Sequence, residues 1–135
     1  MLDGLLAVLS IPLLAMTNNA CTAPAIASAI ASPIGNNGSI TTYDVAIRVK
    51  NNGPAAEPSS LLQSVAIYQD ATKVDQIGTS PLKPGGSTTV HYRLQRSTDA
   101  RSGSTHLRLQ LVLRDPHGTA FGDCSSTNDT YRIDV

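Results

Sequence analysis

Residues 43–54 read Tyr43-Asp44-Val45-Ala46-Ile47-Arg48-Val49-Lys50-Asn51-Asn52-Gly53-Pro54, and this stretch decides the fold. Tyr43, Val45, Ile47 and Val49 alternate with Asp44, Ala46, Arg48 and Lys50, the period-two pattern of a strand with one face in a core and the other in water. The Asn-Asn-Gly-Pro that follows stops the strand. Proline removes a ladder donor, and glycine takes turn conformations at no steric cost.

The same grammar extends in both directions. Thr88, Val90, Tyr92 and Leu94 alternate with Thr89, His91, Arg93 and Gln95, and Leu107, Leu109, Leu111 and Leu113 do so against Arg108, Gln110 and Arg114. Val65-Ala66-Ile67-Tyr68, Lys73 to Thr79, and Tyr131, Ile133 and Val135 supply shorter strands, while Pro81-Leu82-Lys83-Pro84-Gly85-Gly86 and Asp115-Pro116-His117-Gly118 are turns. Ile26 and Ile30 lie at a spacing that a helix also shows. Pro24 and Pro33 bracket that run, however, so Ala23 to Ile34 is expected to be an edge strand with proline at its ends. The expected fold is all-β: an immunoglobulin-like antiparallel β-sandwich of about seven strands over residues 23–135, preceded by an extended apolar N-terminal segment over residues 1–22.

Three stretches carry a family resemblance. Val45 to Ala55, Ser64-Val65-Ala66-Ile67-Tyr68, and Leu82-Lys83-Pro84-Gly85-Gly86-Ser87-Thr88-Thr89-Val90 follow one another in the order and spacing of the CARDB type of immunoglobulin-like domain. Leu107 to Leu113, Asp115-Pro116-His117-Gly118 and Asp123 to Val135 resemble that family's final hairpin. The resemblance covers residues 23–135. It implies a surface or secreted module connected with cell adhesion in prokaryotes, often one of several in a long protein.

Composition agrees with such a module and excludes others. Charged residues are 15% of the chain and the formal net charge is zero, so no basic stripe exists to neutralise a phosphate backbone and nucleic acid is not an expected partner. With no Trp and one Phe, the core must be aliphatic. A chain of 135 residues suffices for one such core.

Leu5 to Met16 is the most apolar stretch, about twelve residues against the roughly twenty that a membrane-spanning helix needs. A secretory leader cut near Ala20 fits the length. Against it stand Asp3 where a positive region belongs, the absence of Lys or Arg before the run, and Asn18 where a small residue is wanted. Pro12 disfavours a continuous helix, whereas Leu5, Ala7, Leu9, Ile11 and Leu13 share one face at strand period. These five are therefore expected to form a strand buried at a subunit interface. A membrane enters only if the segment is a leader.

Chemistry is sparse. His91, His106 and His117 fall on different strands and turns with no neighbour in sequence suited to acid-base work, and no nucleophile, zinc-protease or phosphate-loop motif occurs, so no catalytic residue and no cofactor is expected. Asp123, Asn128 and Asp129 offer too few oxygens for a calcium site, which wants six to eight, so no metal is expected. Asn37-Gly38-Ser39 and Asn128-Asp129-Thr130 match the glycan acceptor pattern in turns. Cys21 and Cys124 lack any C-x-x-C spacing, so they either pair or stand as buried thiols. In a sandwich of this strand order the start of the first strand and the turn before the last lie at one end, which favours a Cys21–Cys124 disulfide and an oxidising compartment.

The sequence thus leads to a non-enzymatic structural subunit of an extracellular or cell-surface assembly: a filament and homo-oligomer built by donation of the N-terminal strand. The alternative is a secreted adhesion module exported by a signal peptide. It would recognise carbohydrate or protein through the loops Asn51 to Ser60 or Ser97 to Ser104.

The disulfide would close a loop of about one hundred residues, which restricts the unfolded chain by roughly 4–5 kcal/mol in the entropy model. Thiol titration of the denatured, unreduced protein is expected to find no free thiol. Two titrating thiols would refute the pairing.

Overall fold

A computed structural model describes residues 21–98, 103–117 and 130–135. Seven strands follow in order: β1 (Pro24–Asn36), β2 (Ile40–Asn51), β3 (Leu62–Gln69), β4 (Thr72–Thr79), β5 (Ser87–Ser97), β6 (His106–Arg114) and β7 (Thr130–Asp134). They form a three-stranded sheet, β1-β2-β5, and a four-stranded sheet, β4-β3-β6-β7, antiparallel at every pairing. The fold is the expected all-β sandwich, with no helix among the described residues.

Alternation builds the core. Val45, Ile47 and Val49 of β2 are fully buried, facing Val65 and Ile67 of β3 and Leu107 and Leu109 of β6 from the opposite sheet. Each such side chain contributes about 1.5–3 kcal/mol by leaving water. Strands at the margins bury less. Val90 and Tyr92 on β5, Ile77 on β4, and Tyr131 and Ile133 on β7 are half-buried against the same cluster, because an edge strand has a neighbour on one side only.

β1 is an edge strand as expected, but Pro33 lies inside it, paired with Tyr43, rather than at its end. The strand accommodates it because register shifts between Ile26 and Ser28 and between Pro33 and Gly35 bend the edge. β3 and β4 join through Asp70-Ala71, where Asp70 takes φ 57°, a left-handed conformation that aspartate tolerates. Lys83 to Gly86 closes with the Gly86 N–H donating to the Lys83 carbonyl at 2.8 Å. Gly85 there has φ 73°, so with Pro84 before it the turn is of the kind that needs glycine at its third position.

The end of β2 ties these pieces together. Asn51 is 0% exposed, and its Oδ1 accepts from the Ala23 and Gly53 N–H groups, each at 3.0 Å. Its Nδ2 donates to the Ala55 carbonyl at 2.8 Å and the Leu82 carbonyl at 3.2 Å. The Asn51 backbone donates to Gly86 and accepts from Gly85. One side chain thereby fixes the start of β1, the loop after β2 and the approach to β5. Glu57, also buried, adds a second tie: its Oε1 accepts from the Leu82 N–H at 2.7 Å while its own N–H donates to the Leu82 carbonyl at 2.9 Å. Gly53 leaves room for this. A Cβ there would lie 2.6 Å from the Ala23 nitrogen and 2.7 Å from the Cys21 carbonyl oxygen, both backbone atoms that cannot give way.

Removing the amide takes the side-chain partner from the Ala23 and Gly53 N–H groups and the Ala55 carbonyl, while the Leu82 carbonyl keeps the Glu57 N–H, so Asn51→Ala is expected to cost roughly 2–4 kcal/mol. Gly53→Ala is expected to cost as much, and Asn52→Ala, at an exposed neighbour, little. Thermal unfolding checks the order, and equal Tm values for all three variants would contradict it.

Candidate binding face

Antiparallel register sets the outer face of the four-stranded sheet in rows. Leu62 pairs with Arg114, Ser64 with Gly78 and Val112, Ala66 with Gln76 and Gln110, and Tyr68 with Lys73 and Arg108. β7 extends the lower rows with Thr130, Arg132 and Asp134 beside Gln110, Arg108 and His106.

The upper rows form an open depression of about 450 Å³ with Leu62 at its margin, 57% exposed, and Ser64, Val112 and Gly78 among its lining residues. Gly78 makes the floor low: a Cβ there would meet only the Gln63 carbonyl oxygen, at 4.0 Å. Across the middle, Gln76 Nε2 donates to Ser64 Oγ at 2.7 Å, and Lys73 Nζ donates to Gln76 Oε1.

The lower rows are polar. The Arg108 guanidinium lies 3.9 Å above the Tyr68 ring, held from the side by a 2.9 Å hydrogen bond from Nη1 to Gln110 Oε1. His106, Arg108, Arg132, Asp70 and Asp134 line a second depression of about 360 Å³. His106 Nδ1 stands 2.6 Å from Asp134 Oδ1, and that hydrogen bond, reinforced by the carboxylate's charge, raises the imidazole pKa above 6.5.

The register explains the histidines. His106 faces Asp134 directly across β6–β7, and His91 meets Asp44 one diagonal away across β2–β5, with Nδ1 3.1 Å from Oδ2. Each histidine therefore has an acidic neighbour that sequence separation concealed. Both are exposed, His91 at 60% and His106 at 67% of the side chain, and form solvated pairs on separate sheets. His117 lies in the turn after β6, its N–H donating to Asp115 Oδ1 at 2.9 Å. Among the described residues no group of three His, Cys, Asp or Glu gathers to hold a metal. No helix among them is long and apolar enough to cross a membrane.

Other sequence-derived positions fare unequally. Asn37 is exposed at the β1–β2 turn. The loop Asn51 to Ser60 is less available for recognition than its polarity suggested, since Asn51, Gly53 and Glu57 are turned inward and bound to backbone. Cys21 lies three residues before β1, its carbonyl accepting from the Ala55 N–H at 3.2 Å. Leu5, Ala7, Leu9, Ile11, Leu13, Asp123, Cys124, Asn128 and Asp129 lie outside the described residues.

Two antiparallel sheets of three and four strands around an aliphatic core define an immunoglobulin-like sandwich. The CARDB family model matches residues 26–117, and the chain belongs to that family. Two solved structures of a CARDB domain from Pyrococcus furiosus share the fold. The crystal structure, described as a complex with di-metal ions, has a TM-score of 0.56 at 16% identity, covering 85% of this chain and 92% of that one. The solution structure has a TM-score of 0.55 at 17% identity, covering 86% and 94%. No curated protein matches the chain. Domains of this family are generally non-catalytic and often occur in cell-surface or extracellular proteins.

A raised histidine pKa has a definite sign. The His106–Asp134 interaction is fully present below the ordinary histidine value and is lost as pH rises through the raised one. An NMR titration of His106 is expected to show a midpoint above 6.5 that falls back in Asp134→Asn. An unchanged midpoint in the variant would contradict the assignment.

Proposed function

We propose that this protein is a non-enzymatic structural subunit of an extracellular or cell-surface filament, in which the apolar segment Leu5 to Ala15 of one copy adds as a strand to the sandwich of the next. The observation that carries the reading is the layout of open edges. β1 and β7 pack side by side on one flank of the sandwich, β4 and β5 on the other. The segment joins the domain at Cys21, beside β1. An incoming strand gains backbone hydrogen bonds along an exposed edge and buries alternate side chains between the sheets. Donor and acceptor on opposite flanks make a head-to-tail contact, which propagates as an open fibre when the rotation between copies does not close a ring. Family membership supports the surface setting, and a Cys21–Cys124 disulfide would suit the oxidising conditions found there.

A second reading rests on the exposed Leu62 beside the Gly78 floor: an adhesion module that takes a protein or carbohydrate ligand on the outer face of the four-stranded sheet. Small-residue floors with an apolar rim are suited to such contacts.

Size-exclusion chromatography with light scattering and negative-stain microscopy separate the two. Protein retaining residues 1–20 is expected to form fibres or large oligomers. A stable monomer with that segment intact would overturn the assembly reading and favour the adhesion module.

A further inference from the structure

The acceptor edge can be chosen from the backbone. Of the four edge strands, β1 carries Pro33 and two register shifts, β7 has five residues, and β4 has eight with a shift opposite Ile67 and Tyr68. β5 has eleven residues, no proline, and an unbroken ladder with β2 from Lys50–Ser87 to Ile40–Ser97. It is the longest regular edge in the described fold.

The direction of its free hydrogen-bonding groups follows from the two ends of that ladder. The Asn51 N–H donates to the Gly86 carbonyl and the Thr98 N–H to the Ser39 carbonyl, so Asn51/Gly86 and Ser39/Thr98 are hydrogen-bonded positions. In an antiparallel pair such positions alternate with ones whose groups point away. Counting in twos from either end, Thr88, Val90, Tyr92, Leu94 and Arg96 bond to β2. Thr89, His91, Arg93 and Gln95 turn their N–H and C=O groups to the empty side.

The side chains beside that edge match. Val90 and Tyr92 of β5 and Ile77 of β4 are half-buried where the two sheets part, and Val74 of β4 is 41% exposed. Asp75, inward by its pairing with Ile67, is a charge an added strand must tolerate beside the middle of this edge, as Arg96 is at its end. The Asp75 Oδ1 is already engaged by the Gln76 N–H at 2.8 Å.

We infer, building on the strand-donation reading, that the free edge of β5 is the acceptor and that its occupant is the Leu5–Leu13 segment of a second copy of this chain, running antiparallel. Five apolar residues at period two, Leu5, Ala7, Leu9, Ile11 and Leu13, fit the five inward positions Arg96, Leu94, Tyr92, Val90 and Thr88 in that order. Leu5 then lies on the Arg96 stem, whose guanidinium reaches the Val135 carbonyl at 2.7 Å. Ser10, Val8 and Leu6 stand opposite His91, Arg93 and Gln95 and exchange backbone hydrogen bonds with them. Pro12 falls opposite Thr89, at the end of the ladder, where its missing N–H forfeits one bond. A second copy is the occupant on the strand-donation reading; Thr88 shares a row with Ile26, within reach of residues 14–20, so a doubly substituted monomer separates donation from insertion into the chain's own edge.

The test uses the full chain. Pro at His91 and Arg93 removes donors only from the free side, leaving the β2 ladder whole. Circular dichroism confirms that the variant folds. H91P/R93P is expected to lose assembly, as is Leu9→Asp. Chains with Ile11→Cys mixed with chains with Val90→Cys are expected to form an intermolecular disulfide, a readout that does not depend on the prolines folding. If Leu9→Asp dissolves the assembly but the folded proline variant assembles normally, or the cysteine pair fails to link, the β5 assignment falls and donation stands. An intramolecular link at these positions in a doubly substituted monomer would also overturn it. If Leu9→Asp assembles like the unaltered chain, the donation reading itself fails.

Discussion

The side chain of Asn51 is the constraint on which one end of the molecule depends. A buried amide with two acceptor directions and two donors meets four backbone groups from three separate segments, at 2.8–3.2 Å. No aliphatic residue could satisfy those groups, and leaving each one dry and unpaired would cost about 1–3 kcal/mol. Gly53 must be glycine for the first strand to come within reach, and Glu57 repeats the tie to Leu82. The clasp fixes where β1 begins and where β5 begins. It therefore fixes the flank from which the N-terminal segment departs relative to the flank that is open.

Two kinds of surface follow from this frame. The flat face of β4-β3-β6-β7 is furnished by register: glycine and leucine at the top, glutamines across the middle, and a Tyr68–Arg108 stack with a His106–Asp134 pair below. The lateral surface of β5 is furnished by what is missing. A sheet of three strands set over one of four leaves half-covered aliphatic side chains and unused peptide groups along one line. The first surface suits a ligand recognised by side chains. The second suits another strand, because only a strand supplies backbone partners at the spacing of a ladder.

Much of the fold was legible in the sequence because period-two alternation reports burial directly. The faces of β2 and β6 were evident from Tyr43 to Lys50 and Leu107 to Arg114, and the Pro84-Gly85 turn from its composition. The clasp made by Asn51 was not. The period that buries Val45, Ile47 and Val49 also points Asn51 inward, but the Asn-Asn-Gly-Pro run reads as an ordinary turn, and nothing local shows the backbone groups of Ala23 and Leu82 that the amide meets. Asp70 escaped notice for the opposite reason, since an Asp-Ala loop lacks the glycine that usually advertises a left-handed residue. The acidic partners of His91 and His106 lie 47 and 28 residues away, and only the register brings them together. Strand periodicity tells which face a residue occupies but not which strand lies beside it.

Amide hydrogen exchange on the assembled protein, compared with a dilute sample, tests the central claim most directly, because it reads the β5 edge without altering any residue. The N–H groups of His91, Arg93 and Gln95 are expected to exchange rapidly in the dilute protein and to become protected on assembly, while those of Val90, Tyr92 and Leu94 are slow in both. Equal exchange at His91, Arg93 and Gln95 in the two samples would contradict the account.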